Sequence, residues 1–265
     1  MTSSVIGSTA HMQIFLGFLF AVVMAAGAYR ARALDLSGAV AALIVGTVTF
    51  GIGGWPFALP LLTFFISSTL LSRWRKRSKE ALGFEKGGRR DSGQVFANGG
   101  IATLFVLAYA LVPAVSHHAY ALFLAAFAEA NADTWATEIG SAAGGTPVSI
   151  VTFKRVPIGM SGGISATGTL GLVAGAFVVA LYGIIFHPLH SSTTLIAPMI
   201  GGIVGALVDS VLGATIQAQW RDGDRLVERR PVDGARPVRG VAWVGNDCVN
   251  FAGTAVAVAT AWLLS

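Results

Sequence analysis

The sequence predicts an all-α, polytopic integral membrane bundle of about eight transmembrane helices, with both termini on the external side. Three observations carry that prediction. Of the 265 residues, 54% are apolar and only 12% are charged, the balance of a chain solvated largely by lipid. Apolar runs of about 17 residues or more recur along it, long enough to cross a bilayer as helix. All 18 Lys and Arg residues fall in alternate loops, which fixes an even number of crossings.

The predicted spans are 12–28, 36–53, 55–71, 94–115, 119–139, 168–186, 195–217 and 241–264, in one transmembrane domain covering 1–265. Residues 1–11 carry no Lys, no Arg and no cleavage-like pattern, so the first run reads as a retained helix and not a signal peptide. Arg30 and Arg32 follow it. Spans two and three are joined by GIGGWP, room only for a tight hairpin, with Trp55 at interfacial depth. The remaining basic residues fall in the loops 73–93, 140–167 and 218–240, which are therefore predicted to be cytoplasmic. His11, His117, His118, His187 and His190 lie at or beyond the opposite ends, where interfacial residence accounts for them.

The 73–93 loop opens on RWRKRSK, an orientation signal resting on anionic headgroups. Its second half runs into EKGGRRDSGQVFANGG (85–100), too polar and glycine-rich for a plain connector. Paired glycines let the backbone approach a ligand, and Arg89 and Arg90 offer planar forks to phosphate oxygens. The structural alternative is a capped helix start, with Asp91 or Ser92 as N-cap and Gln94 in the first turn.

The fifth span carries EANADTWATEIG (129–140). At about 100° per residue, Glu129, Asp133 and Thr137 form one stripe and Asn131, Thr134 and Glu138 a second. Ionisable groups at that depth are costly unless paired or metal-bound, so this helix belongs at the centre of a bundle or beside a water-filled cavity. Glu129, the deepest, also reads as a protonated core residue.

The 140–167 loop holds the β-prone VSIVTF, then Lys154 and Arg155, then the small-residue run 159–168. Glycine and serine amides there, Ser161, Gly162 and Gly163 among them, form a natural anion cradle at the entrance of the sixth span. No GxxxxGK[ST] occurs, so this is not a Walker A loop. On the seventh span Gly202, Gly205, Asp209, Gly213 and Gln217 fall near one stripe, which brings Asp209 into the interior at about the depth of Asp133. The eighth contributes Asn246 and Asn250 one turn apart, while Asp247 points elsewhere.

The lone Cys248 excludes a disulfide framework. The net charge of +5 reports membrane orientation; the interleaved aromatics of a nucleic-acid groove are missing. Asp133 and Asp209, with Glu138 nearby, offer hard oxygen ligands suited to Mg²⁺. Cationic side chains and glycine amides on the same membrane face, with no obvious Ser-His or Cys-His pair, point to phosphoryl or nucleotidyl transfer.

The segments EKGGRRDSGQVFANGG, ANADTWATEIG, TFKR…GMSGGISATG, GALVDSVLGATIQ and NDCVN resemble the phytyl-phosphate kinase and transmembrane protein 19 family of integral membrane proteins. That family is distantly similar to dolichol and phytol kinases and CDP-diacylglycerol synthases. The resemblance implies transfer of a phosphoryl group from a nucleoside triphosphate, CTP first, to an isoprenyl monophosphate such as phytyl or geranylgeranyl phosphate. Lys154 and Arg155 depart from the pattern, standing where related sequences often have small or threonine-rich residues.

The roles expected are then these. Asp133 and Asp209 hold Mg²⁺, and Glu138 completes or orients the metal site, provided the helix breaks between 135 and 140, because Asp133 and Glu138 otherwise point about 140° apart. Arg89, Arg90, Lys154 and Arg155 neutralise phosphates. Asn98, Asn131, Ser161, Gly162, Gly163, Asn246 and Asn250 orient them, with Asp91 and Gln94 beside them. Two rival functions are a cytidylyltransferase forming a CDP-lipid and an ion-coupled transporter. The expected location is a bacterial inner membrane with the site facing the cytoplasm.

Overall fold

The computed structural model describes residues 2–74, 89–112, 114, 116–186, 193–223, 225–228, 230–232 and 234–265. Arg75, Lys76, Arg77, Lys79 and Lys86, with His187 and His190, lie outside the described residues. Eight α-helices are described: α1 Thr2–Arg30, α2 Leu36–Gly51, α3 Trp55–Trp74, α4 Ser92–Leu111, α5 Ser116–Ala142, α6 Ala166–Phe186, α7 Thr193–Thr215 and α8 Asn246–Leu264. The all-α membrane bundle expected from the sequence is the fold observed.

Six of the helices are long and apolar enough to cross a membrane: α1 from His11 onward, α3, α4, α6, α7 and α8. The other two differ from plain spans for separate reasons. α2 is apolar but has only 16 residues. α5 carries Glu129, Asp133 and Glu138 and is shielded from lipid by protein: Phe123, Leu124, Ala125, Ala126, Phe127 and Ala128 are all 0% exposed. It packs against α3, α4, α6, α7 and α8, so its polar groups meet other helices and not hydrocarbon.

Close helix approach is a matter of small residues. On α6, a Cβ at Gly171 would stand 2.9 Å from the Trp135 carbonyl oxygen, and one at Gly175 2.9 Å from that of Asn131. On α7, Gly202 meets the Ala128 side chain at 2.7 Å and Gly205 meets Glu129 Cγ at 2.8 Å by the same construction. These stripes let α6 and α7 lie directly on the central helix, and the α7 stripe turns Asp209 inward as expected.

The connections at the basic end are structured. Short antiparallel ribbons pair β1 (Val148–Ser149) with β2 (Gly163–Ile164) and β3 (Trp220–Asp222) with β4 (Arg225–Val227). The eighth helix starts later than the predicted 241, at Asn246. The cause is backbone pairing: Val241 N–H donates to the Ile216 carbonyl at 2.9 Å and Ala218 N–H to that of Val244 at 2.9 Å. Gly240 makes this possible, with φ +77° and a Cβ position that the Gln217 carbonyl already fills. Arg90 enters a similar strand-like contact, its N–H donating to the Ala33 carbonyl at 2.9 Å while Asp35 N–H donates to the Arg90 carbonyl at 3.0 Å.

Candidate functional site

A cavity of about 790 Å³ opens among the helix ends at the basic end of the bundle. It is lined by Asp133 and Glu138 from α5, Asp209 from α7, Asn246 and Asn250 from α8, and Gln94 and Asn98 from α4. Arg89 and Arg90 line it just before α4, and Ser161, Gly162 and Gly163 line it from the loop ahead of α6. Twelve of the sixteen residues singled out in the sequence thus share one space, because three helix stripes and two loops converge there.

The acidic centre is a junction of α5, α7 and α8. Thr254 Oγ1 donates to Glu129 Oε2 at 2.8 Å, while Glu129 Oε1 is buried with no partner among the described residues. A Cβ at Gly253 would stand 2.8 Å from Glu129 Oε1 and 3.2 Å from Asp209 Cβ. Gly253 therefore makes the room in which two carboxyl side chains from different helices meet. Asn250 ties Asp209 to this junction: with its amide oriented to satisfy its neighbours, its nitrogen donates to Asp209 Oδ2 at 3.1 Å and to the Asn246 carbonyl at 3.0 Å.

Glu138 serves a different purpose from the one expected. α5 runs without a break from Ser116 to Ala142, so Asp133 and Glu138 keep their angular separation. Ser72 Oγ donates to Glu138 Oε1 at 2.6 Å, fixing Glu138 against α3. Among the described residues no group of three or more His, Cys, Asp or Glu side chains is placed to hold a metal ion. Asp133 and Asp209 remain as the two aspartates that line the cavity from α5 and α7. That pair still suits Mg²⁺, which is commonly held by one or two carboxylates with phosphate oxygens and water completing the shell.

Arg90 stands on the wall of this cavity with its guanidinium 5.3 Å above the Phe64 ring and 5.7 Å from that of Phe65, Nη2 donating to Ser68 Oγ at 2.8 Å. Burial lowers its pKa to about 10, opposed by the nearby Glu138, so it stays cationic at neutral pH. Arg89 is exposed, 5.9 Å from the Tyr29 ring.

Four expected residues lie elsewhere. Lys154 and Arg155 are exposed and do not line the cavity; the turn before them carries Phe153 at φ +54° and directs the pair outward. Asp91 is the N-cap of α4, accepting from Gln94 N–H at 2.9 Å, so the capping alternative holds. Asn131 is spent on helix contacts, Nδ2 donating to the Gly175 carbonyl at 2.8 Å and Oδ1 accepting from Ser67 Oγ at 3.0 Å. Asn131→Ala is accordingly expected to cost roughly 1–3 kcal/mol of stability and to leave the nucleotide KM unchanged, read from thermal unfolding in detergent alongside kinetics.

The description integral membrane protein DUF92 matches residues 19–258, nearly the whole bundle. The chain belongs to that family. It is 30% identical to Protein PGR of Arabidopsis thaliana, covering 88% of this chain and 91% of that protein. Membrane protein MJ0933 of Methanocaldococcus jannaschii is 31% identical, with 78% and 84% covered. Protein VTE6, chloroplastic, of Arabidopsis thaliana is 28% identical, with 82% and 61% covered. No solved structure matches the chain. The family resemblance drawn from the motifs is borne out, and a chloroplast relative shows that the family is not confined to bacterial membranes.

The fold also brings in Glu228, which the sequence reading passed over, and Gln217, which it placed on the α7 stripe without a role in the site. Glu228, beyond β4, lines the cavity and accepts a hydrogen bond from Ser161 Oγ. Gln217 lines it too, its buried Nε2 without a partner among the described residues, a donor available to a ligand oxygen. Its place on the α7 glycine stripe, one turn past Gly213, was the signal for Gln217. Gly162 is held at φ +77°, its Cβ position filled by Ala214 and 2.7 Å from the Ser210 carbonyl oxygen. Gly162→Val is expected to destabilise by roughly 1–3 kcal/mol and to displace the β1–β2 ribbon from α7, measurable as a lower unfolding temperature and faster proteolysis between 148 and 164.

Proposed function

We propose that this protein is an isoprenyl-monophosphate kinase, transferring the terminal phosphoryl group of a nucleoside triphosphate, CTP first, to a prenyl phosphate and giving the diphosphate. The observation that carries the reading is one cavity lined together by intramembrane Asp133 and Asp209, by Arg89 and Arg90, and by a glycine ribbon. The motif resemblance to phytyl-phosphate kinases supports the lipid substrate. By the positive-inside rule, the basic end that holds the cavity faces the cytoplasm or its organellar equivalent.

The chemistry asks little of a general base. An isoprenyl monophosphate is largely dianionic near neutral pH, its second ionisation lying near 6, so one of its oxygens attacks the terminal phosphorus directly. The new P–O bond forms as the bond to the β-phosphate oxygen breaks, and the nucleoside diphosphate leaves with that electron pair. Asp133 and Asp209 would hold Mg²⁺, which would supply charge neutralisation for the phosphates. Arg90 and Arg89 balance the equatorial oxygens, and Asn98, Asn246 and Asn250 orient the acceptor.

The test is incubation of purified protein with CTP, Mg²⁺ and C15 to C20 prenyl phosphates, products read by mass. Prenyl diphosphate with CDP is the expected outcome. A CDP-lipid with pyrophosphate would make the protein a cytidylyltransferase, and no turnover of any prenyl phosphate would sink the kinase reading. The transporter reading draws less support, because the carboxylates and the large cavity lie together at one end of the bundle.

A further inference from the structure

The polar cavity has an apolar neighbour. A second cavity of about 80 Å³ lies between α1, α2, α3 and α4 and reaches Phe127 of α5; Arg90, Gln94 and Asn98 line both spaces. Its origin is a wedge in the packing. α3 packs on α2, α5 and α6 but only sparsely on α1 and α4, and the small side chains of Ala25, Ala28 and Ala42 leave the opening unfilled.

We propose that this wedge holds the hydrocarbon segment next to the phosphate of a single-chain lipid monophosphate, with Arg90 at the junction of head and tail. The proposal rests on the kinase reading and adds the place of the lipid chain and the basis of its selection. Charge and shape both favour this occupant. On one side Arg90 presents a cation to the polar cavity; on the other, the rings of Phe64 and Phe65 lie against it and continue into apolar wall. A phosphate at Arg90 therefore sends its first carbons into the wedge.

The wedge is narrow and of limited depth. From Ala28 to Ala21 its lining runs roughly 10 Å along α1, at about 1.5 Å per residue. A volume of about 80 Å³ takes one slender chain and leaves no room for a second beside it. An isoprenyl phosphate seats its only chain there; a diacyl phosphatidate, with two chains diverging from one glycerol, has to leave one of them outside. The remainder of a long prenyl chain extends past the wedge into the bilayer, so the wedge selects the head-proximal part and not the full length.

Two filling variants test this. A Cβ at Gly99 would meet Val45 Cγ1 at 3.6 Å and Phe127 Cζ at 3.8 Å, ordinary contacts, so a side chain is admitted there and Gly99→Leu fills the wedge it lines from α4; Ala25→Leu fills it from α1. With folding checked by thermal unfolding, each is expected to raise the KM for C20 prenyl phosphate about tenfold or more. The nucleotide KM and the turnover of water-soluble dimethylallyl phosphate should stay unchanged. Independently of activity, a prenyl phosphate with a diazirine near its phosphate should label Met24, Leu61 or Phe65 in wild type and lose that label in Gly99→Leu. An unchanged C20 KM in folded variants, labelling confined to α6–α8, or equal labelling by a diacyl phosphatidate probe would overturn the proposal. If wild type labels as expected but forms no diphosphate, the kinase reading fails and the lipid site stands.

Discussion

Asp209→Asn is expected to lower kcat/KM by on the order of 10³-fold, the scale of losing a main electrostatic contributor at a transferring group, while the protein stays folded. Asparagine is nearly isosteric and keeps an oxygen for the Asn250 amide, which stands 3.1 Å from Asp209 Oδ2. It also removes one of two carboxyl groups crowded against Gly253, so the unfolding temperature should hold or rise. Asp133→Asn is expected to behave alike, because a two-carboxylate site has no spare ligand. The check combines single-turnover phosphoryl transfer with Mg²⁺ titration: the variants should need far higher Mg²⁺ for any residual rate. Activity within a factor of about three of wild type in either variant would remove the metal role.

Arg90→Ala is expected to reduce kcat/KM for the lipid phosphate by roughly 10²- to 10³-fold, the lower range of what a transition-state arginine contributes. The fold should survive, since the contacts anchoring this segment are main-chain ones: Arg90 N–H to Ala33 and Asp35 N–H to the Arg90 carbonyl. The ring contacts and the bond to Ser68 are lost, a cost of about 1–2 kcal/mol, together with the attraction to Glu138. Arg90→Lys should recover little. Its ammonium lacks the planar fork that stacks on Phe64 and Phe65 while donating sideways. An alanine variant with native kinetics and a large loss of stability would return Arg90 to the role of a latch between α3 and α4.

Much of this was legible before any coordinates. Helix periodicity placed Asp133 and Asp209 on inward stripes at matched depth, because glycine spacing along α7 and polar spacing along α5 are local properties of one helix each. Asn246 and Asn250, one turn apart at the start of α8, followed by the same logic. Lys154 and Arg155 misled for a physical reason: a basic pair before a glycine-rich turn is the pattern of an anion cradle, yet a single left-handed residue, Phe153 at φ +54°, turns both outward. Glu138 misled because a carboxylate on a buried helix reads alike whether it meets a metal or a serine, and Ser72 lies sixty-six residues away.

The sequence by itself determined the membrane class, the helix count, the basic end and the inward faces, since each follows from hydropathy, charge position and a 3.6-residue repeat. Only the tertiary structure decided which polar groups share a cavity, that Asn131 is spent on holding helices together, and that a wedge opens beside Arg90. Those outcomes depend on how far apart packed helices stand and where loops return. Both are set by contacts between side chains remote in the chain, and no local pattern records them.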